Sequence, residues 1–146
     1  MSLGANIDPI PNLKLAIDAL AKHSVVIAQS SFWTNPPLGI DGPDFVNCAL
    51  HVQSNLTMHD FKRDILRKIE RDLGRKRSQD KFAPRPIDID ILIFNQIEVD
   101  VDIWRYAYLA IPLAEIHPLY IDSRNNHKLS DTANFLKIDS EIYSVK

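Results

Sequence analysis

Residues 87–94 read Ile-Asp-Ile-Asp-Ile-Leu-Ile-Phe, with a β-branched isoleucine at every second position and a carboxylate in each of the first two gaps. Side chains alternate between the two faces of a strand, so this spacing predicts a half-buried strand over 87–94. Ile87, Ile89, Ile91 and Ile93 then face a core, while Asp88 and Asp90 emerge side by side on the other face. Like charges this close raise each other's pKa unless a positive charge lies between them. A hard divalent cation that prefers oxygen is the usual answer, which makes Mg2+ the expected occupant.

A basic segment precedes the pair. It contains Arg75-Lys76-Arg77 and Pro84-Arg85-Pro86. Residues 62–85 hold ten Lys or Arg against four Asp or Glu, whereas the rest of the chain holds seven against fifteen, so the net charge of -2 hides a concentrated basic patch. Such a patch calls for an anionic partner. A polyphosphate suits it better than a long nucleic acid, because the patch is short and the remainder of the chain is acidic. Lys62, Arg63 and Lys68 read as a solvated helix face, and Lys76 and Lys81 as solvated at least as readily as phosphate-binding.

The 146 residues are 45% hydrophobic, enough for one domain, 1–146, with its own core. One cysteine, Cys48, excludes an internal disulfide. No leader pattern opens the chain and no apolar run approaches the roughly 20 residues of a membrane span, so a cytoplasmic protein without a membrane partner is expected.

The pattern along the chain predicts a strand stub over 1–3, a turn over 4–11, and a helix from Asn12, its cap, to Lys22 with Leu13, Ala16, Ile17 and Leu20 inward. Strands follow over 24–33 and 45–54 around a loop rich in proline and glycine. Thr57 and Asp60 form a capping pair for a helix carrying Phe61, Ile65, Ile69 and Leu73, which Gly74 ends. After the 87–94 strand come a turn at Asn95-Gln96, a returning strand over 97–101 and a late loop over 122–128. Strand, helix, strand, strand, helix, strand is the order of an α+β, ferredoxin-like split βαβ sandwich, with an antiparallel sheet covered by helices on one face. An extra C-terminal hairpin and helix region would follow. Asp88 and Asp90 would then lie on the open face.

Several blocks occur together in this order: Ser2-Leu3-Gly4-Ala5-Asn6, Ser30-Ser31-Phe32-Trp33-Thr34-Asn35-Pro36-Pro37-Leu38-Gly39, Pro43-Asp44-Phe45-Val46-Asn47, Pro84-Arg85-Pro86-Ile87-Asp88-Ile89-Asp90-Ile91 and Ile111-Pro112-Leu113-Ala114-Glu115-Ile116. From residue 2 to about residue 118 the chain resembles the 6-hydroxymethyl-7,8-dihydropterin pyrophosphokinase family. That resemblance implies transfer of pyrophosphate from ATP to the pterin hydroxymethyl group, with release of AMP and two Mg2+ ions, in folate biosynthesis. It implies small-molecule substrates, a monomer and no nucleic-acid partner. Asp88 and Asp90 would hold both metals. Arg75 and Arg85 would act in catalysis, with Glu70, Arg77 and Arg105 beside them on ATP. Asn35, Pro36, Leu38, Phe45, Asn47 and Tyr108 would form the pterin pocket, in which the ring needs an aromatic face and amide partners. Residues 75–84 would form a lid, with Phe82 as its hydrophobic plug.

Residues 99–110 are shorter than in the family and lack its histidine, leaving Arg105 as the available cation, so weakened nucleotide binding is expected. The alternative reading is a degenerate relative that binds pterin or nucleotide without efficient transfer. An RNA-binding sheet ranks third, opposed by the acidic pair on the sheet face.

Overall fold

The computed structural model describes residues 1–37, 39, 41–76 and 83–145. Its main sheet is built on one long strand. Strand β1 (Ser2–Ala5) lies between β4 (Phe45–Gln53) and β5 (Asp88–Asp90), antiparallel to both. On its other side β4 pairs with β2 (Val25–Gln29) along its second half and with β3 (Trp33–Asn35) along its first half. β8 (Tyr143–Ser144) closes the far edge against β3. The molecule is therefore α+β with an antiparallel sheet.

One face of this sheet is covered by α1 (Pro9–Ala21) and by the helical run α2 (Met58–Asp60), a π-helical stretch Phe61–Leu66, and α3 (Arg67–Asp72). Leu13, Ala16 and Leu20 of α1 meet Leu66 and Ile69 over Leu3, Cys48 and Ile89. Fully burying each large aliphatic group here contributes about 1.5–3 kcal/mol. The expected inward face of the first helix is present, Ile17 packing at its margin. The helix starts three residues before Asn12. Pro9 and Pro11 occupy its first turn, where the absent N–H groups would have had no helical partner anyway. Asn12 does not cap it; its amide donates to the carbonyl of Ile7 at 2.8 Å. Thr57 does cap α2, its hydroxyl accepting from the backbone N–H of Asp60 at 3.1 Å.

The opposite face is not fully open. α4 (Ala107–Ile116) and α5 (Leu129–Ile138) pack over it in a second core, with Leu109, Ala110 and Leu113 against Trp33, Ala49 and Leu92. The C-terminal region thus covers the second sheet face where helices on one face were expected, and the cleft occupies the part that α4 leaves uncovered.

Two expected strands are divided. The stretch 24–33 breaks at Ser30, whose hydroxyl accepts from Ala49 N–H at 2.8 Å and donates to the carbonyl of Ser31 at the same distance. The 87–94 alternation fails at Ile91-Leu92, because both are buried, Ile91 in the first core and Leu92 in the second. β6 (Ile93–Phe94) forms its own hairpin with β7 (Ile97–Glu98), turned by Asn95 and Gln96 at φ 49° and 64°. Paired positive φ values are the signature of the hairpin turn whose twist matches its strands. The returning strand stops at Glu98, and a 3-10 turn, Val101–Trp104, replaces its end.

Candidate active site

The sheet alternation delivers Ser2, Gly4, Asn47 and Asp88 to one face at adjacent registers: Ser2 opposite Asp90, and Gly4 between Asn47 and Asp88. They floor a cleft of about 270 Å3 whose walls are Phe45, Asn35, Arg85, Asp100 and Tyr108. Asn47 is buried, and its amide N–H donates to Asn35 Oδ1 at 2.7 Å, while Asn35 donates to its neighbour Pro36 carbonyl at 2.8 Å. Chained amides of this kind leave the Asn47 carbonyl end facing Gly4. A β-carbon on residue 4 would lie 2.5 Å from Asn47 Oδ1, so any larger residue there would have to displace the Asn47 amide.

The charged end is organised around Asp88. Arg85 Nη1 donates to its Oδ2 at 2.7 Å, and Arg75 Nη1 contacts its Oδ1. Arg75 also donates to the Ile87 carbonyl at 2.9 Å and lies 3.8 Å from Glu70 Oε1. Glu70 is only 5% exposed, and its Oε1 accepts the Ile89 N–H at 3.0 Å, so this helix residue is tied into the back of β5 rather than presented at the surface. Asn6 anchors the approach: its Oδ1 accepts from Arg85 N–H at 2.7 Å, and its own N–H donates to the Arg85 carbonyl at 3.1 Å. The Arg85 guanidinium lies 5.9 Å from the centre of the Phe45 ring.

Charge follows these contacts. Burial would raise the Asp88 carboxyl, but the two guanidinium groups override it and hold it below the ordinary aspartate value. Among the described residues Asp90 makes no such ion pair. Desolvation in the cleft, then the charge of Asp88, push it above the usual value. Burial likewise raises Glu70. Desolvation, aided by Tyr106 and nearby aspartates, pushes the Tyr108 phenol up to about 12, so it remains a neutral donor at physiological pH.

Behind the carboxylates lies a second hollow of about 190 Å3, formed by Lys62, Arg67, Glu70, Arg75, Asp88 and Asp90. Lys62 is exposed, as expected of the solvated helix face, and also borders this hollow, whereas Arg63 pairs with Asp60 and Asp64 at the surface. Arg105 lines a different hollow, with Pro36 and Phe135, and pairs with Asp102 at 3.5 Å; it is not gathered with Asp88 and Asp90. Pro36 likewise reaches that hollow, whereas Asn35 and Tyr108 border both it and the cleft. Leu38, Arg77, Lys81 and Phe82, and with them most of the expected lid, lie outside the described residues.

Sequence reasoning missed Asp100 and Asp102, which line the cleft beside Asp90. Asp100 caps the 3-10 turn, its Oδ1 accepting from Asp102 N–H at 2.9 Å. Their signal was a second Asp-x-Asp spacing at 100–102, hidden by the strand expected through it. Arg67 was missed because a helix pattern does not say which flank reaches a ligand. Asn6 was legible only as part of a motif.

The groups here able to ligate a cation, the carboxylates of Asp88 and Asp90 with Asp100 and Asp102 nearby, offer hard oxygens, which suits Mg2+. Among the described residues no three or more His, Cys, Asp or Glu converge as an all-protein metal cage. That also fits Mg2+, which keeps several waters and commonly uses one or two carboxylates together with substrate phosphates.

The fold and cleft thus define an α+β domain with a small-molecule site, basic and acidic at one end and aromatic with amides at the other. The family model for 7,8-dihydro-6-hydroxymethylpterin-pyrophosphokinase matches residues 1–118, and the chain belongs to this family. It is 36% identical over 117 residues to the 2-amino-4-hydroxy-6-hydroxymethyldihydropteridine pyrophosphokinase of Helicobacter pylori, covering 77% of this chain and 68% of that one. The protein of the same name from Bacillus subtilis is 30% identical over 128 residues, covering 80% and 75%. A mitochondrial folate synthesis bifunctional protein of Pisum sativum is 31% identical over 134 residues, covering 84% of this chain but 26% of its own length. The chain spans about a quarter of the length of such bifunctional relatives.

Proposed function

We propose that the chain transfers pyrophosphate from ATP to 6-hydroxymethyl-7,8-dihydropterin in folate biosynthesis. The observation that carries this reading is the convergence in one cleft of Asp88 and Asp90 with Phe45 and Asn47, residues that the sequence holds 41 or more positions apart. The hydroxymethyl oxygen attacks the β-phosphorus, the bond from that phosphorus to the α,β-bridging oxygen breaks, AMP leaves, and the hydroxyl proton passes to solvent. Such transfers ask of a protein mainly positioning and charge stabilisation.

Phe45 offers the pterin an aromatic face, and Asn47, aligned through Asn35, reads its amide edge. Tyr108 closes the opposite wall. Asp88 and Asp90 would hold two Mg2+ ions, which when bound neutralise the triphosphate and align it with the hydroxyl. Arg75 and Arg85 supply guanidinium forks for phosphate oxygens, and Lys62 and Arg67 extend the cationic wall behind them. The ATP role of Arg77 and the pterin role of Leu38 stay part of the proposal on the family resemblance alone. Arg105 would meet ATP only from its separate hollow beside Asp102.

The strand order β5-β1-β4, followed by β2 and β3, supports the ferredoxin-like plan as the frame of this site. A single 1–146 domain acting as a monomer in the cytoplasm belongs to the same reading. No helix among the described residues is long and apolar enough to cross a membrane.

The test is AMP formation from ATP and Mg2+ by purified protein at high concentration, with and without the pterin. Pterin-dependent AMP is expected. Pterin binding without AMP would replace the transferase by the binder-only reading.

A further inference from the structure

Both oxygens of the Asp88 carboxylate are already taken, Oδ1 by Arg75 and Oδ2 by Arg85 at 2.7 Å. A carboxylate paired to two guanidinium groups offers a free cation little net charge. The approaching ion would also meet two positive groups at close range. Arg85 does a second thing from the same position, since its guanidinium lies over the ring of Phe45 at 5.9 Å from the centroid, where a flat ligand would stack. Arg75 has somewhere to go. Glu70 lies 3.8 Å from its Nη1, held by the Ile89 N–H, and the hollow containing Lys62 and Arg67 opens beside it.

We propose that Arg75 and Arg85 form a counter-ion lock on Asp88, which a free divalent cation does not open and a polyphosphate does, by drawing the two guanidinium groups onto its own oxygens. Opening exchanges one set of charge pairs for another. Asp88 passes from arginine to metal, the arginines pass from carboxylate to phosphate, and Glu70 is the positioning residue that retains Arg75 beside the site during the exchange. Release of Arg85 also clears the Phe45 face. The lock rests on the pyrophosphokinase reading of the cleft, and under it a site lined by several carboxylates would take up a cation only together with nucleotide.

The experiment is Mn2+ binding followed by electron paramagnetic resonance, with and without α,β-methylene-ATP, on the full chain and on Arg85→Met and Arg75→Met. The unaltered protein should bind Mn2+ weakly alone and strongly with the analogue. Each variant should bind Mn2+ alone roughly tenfold tighter than the parent, because a charge-assisted pair no longer competes for Asp88. Its gain on adding the analogue should shrink. Arg75 also holds the Ile87 carbonyl, so if Arg75→Met does not fold, Arg85→Met decides alone. Nucleotide-free Mn2+ affinity that stays unchanged or falls in Arg85→Met would overturn the lock while leaving the transferase reading intact. Tight Mn2+ binding by the parent without nucleotide would do the same. Failure of the parent to bind the Mn2+ analogue complex at all would remove both.

Discussion

Gly4 and Asn47 face one another across the β1–β4 pair so closely that a β-carbon on residue 4 would lie 2.5 Å from Asn47 Oδ1. The smallest side chain in the sheet thereby sets the position of the amide in the cleft. Gly4→Ala is expected to push Asn47 away from Asn35 and cost about 1–3 kcal/mol through overpacking. Thermal melting and pterin calorimetry should record both losses. A variant that binds pterin as tightly as the parent would separate Asn47 from the pocket.

Asp88→Ala and Asp90→Ala should each abolish turnover and metal-dependent nucleotide binding with the fold retained, as circular dichroism would show. Near-parental activity in either would remove the carboxylate pair from the reaction.

Phe45→Ala or Asn47→Ala should raise the pterin dissociation constant, roughly tenfold or more for the lost ring or amide partner, with little change in ATP binding. Equal losses for both substrates would argue that these residues support the sheet rather than the pterin.

The carboxylates predict opposite pH effects. Asp88 lies below its ordinary value, so its stabilising pairs are intact above that value and are lost only as pH falls through the lower, folded one. Glu70 is raised, so the fold favours its protonated form; that contribution is full below the ordinary glutamate value and disappears as pH rises through the folded one. Glu70→Gln keeps an acceptor for Ile89 N–H. It should gain stability relative to the parent at neutral pH, the difference narrowing toward pH 4, as denaturant titrations at several pH values would show. A difference that stays constant with pH would mean that Glu70 is not titrating in that range.

Glu115 binds two points of the chain segment leading into β3, accepting Ser31 N–H at 2.6 Å and the Trp33 indole N–H at 2.9 Å. Glu115→Ala should cost about 1–3 kcal/mol by leaving these donors unsatisfied. Its melting temperature should fall, and an unchanged one would mean that water replaces both contacts.

Which residues meet in the cleft was more legible in the sequence than the architecture around it. Asp88, Asp90, Phe45 and Asn47 reach one cleft because strand parity is a local property, readable from spacing two residues at a time. The break at Ile91-Leu92 was not readable, because the alternation there is replaced by burial on both sides, one residue entering each core. Glu70 illustrates the same limit. Its helix position resembles a surface site, and only the approach of β5 from 19 residues away makes it a buried acceptor for Ile89. Asp100 and Asp102 were concealed because a 3-10 turn has no hydrophobic period to announce it, and the place of Lys62 beside the hollow because a solvated basic helix face looks alike whether or not a carboxylate pair lies next to it.

β1 is four residues long and lies between β4 and β5, neither of which is nearby in sequence. On a ribosome it is made before both partners and waits unpaired on one side until residue 53 is made and on the other until residue 90. Closing loops of this length before any pairing is gained is slow, as in other folds rich in distant contacts. The cleft therefore comes into being late, when a segment that carries no ionisable side chain, Ser2–Ala5, is finally enclosed. Substitutions of Leu3 or Ala5, whose side chains enter the core rather than the cleft, should lower the yield of folded protein during synthesis more than they lower the activity of the molecules that succeed.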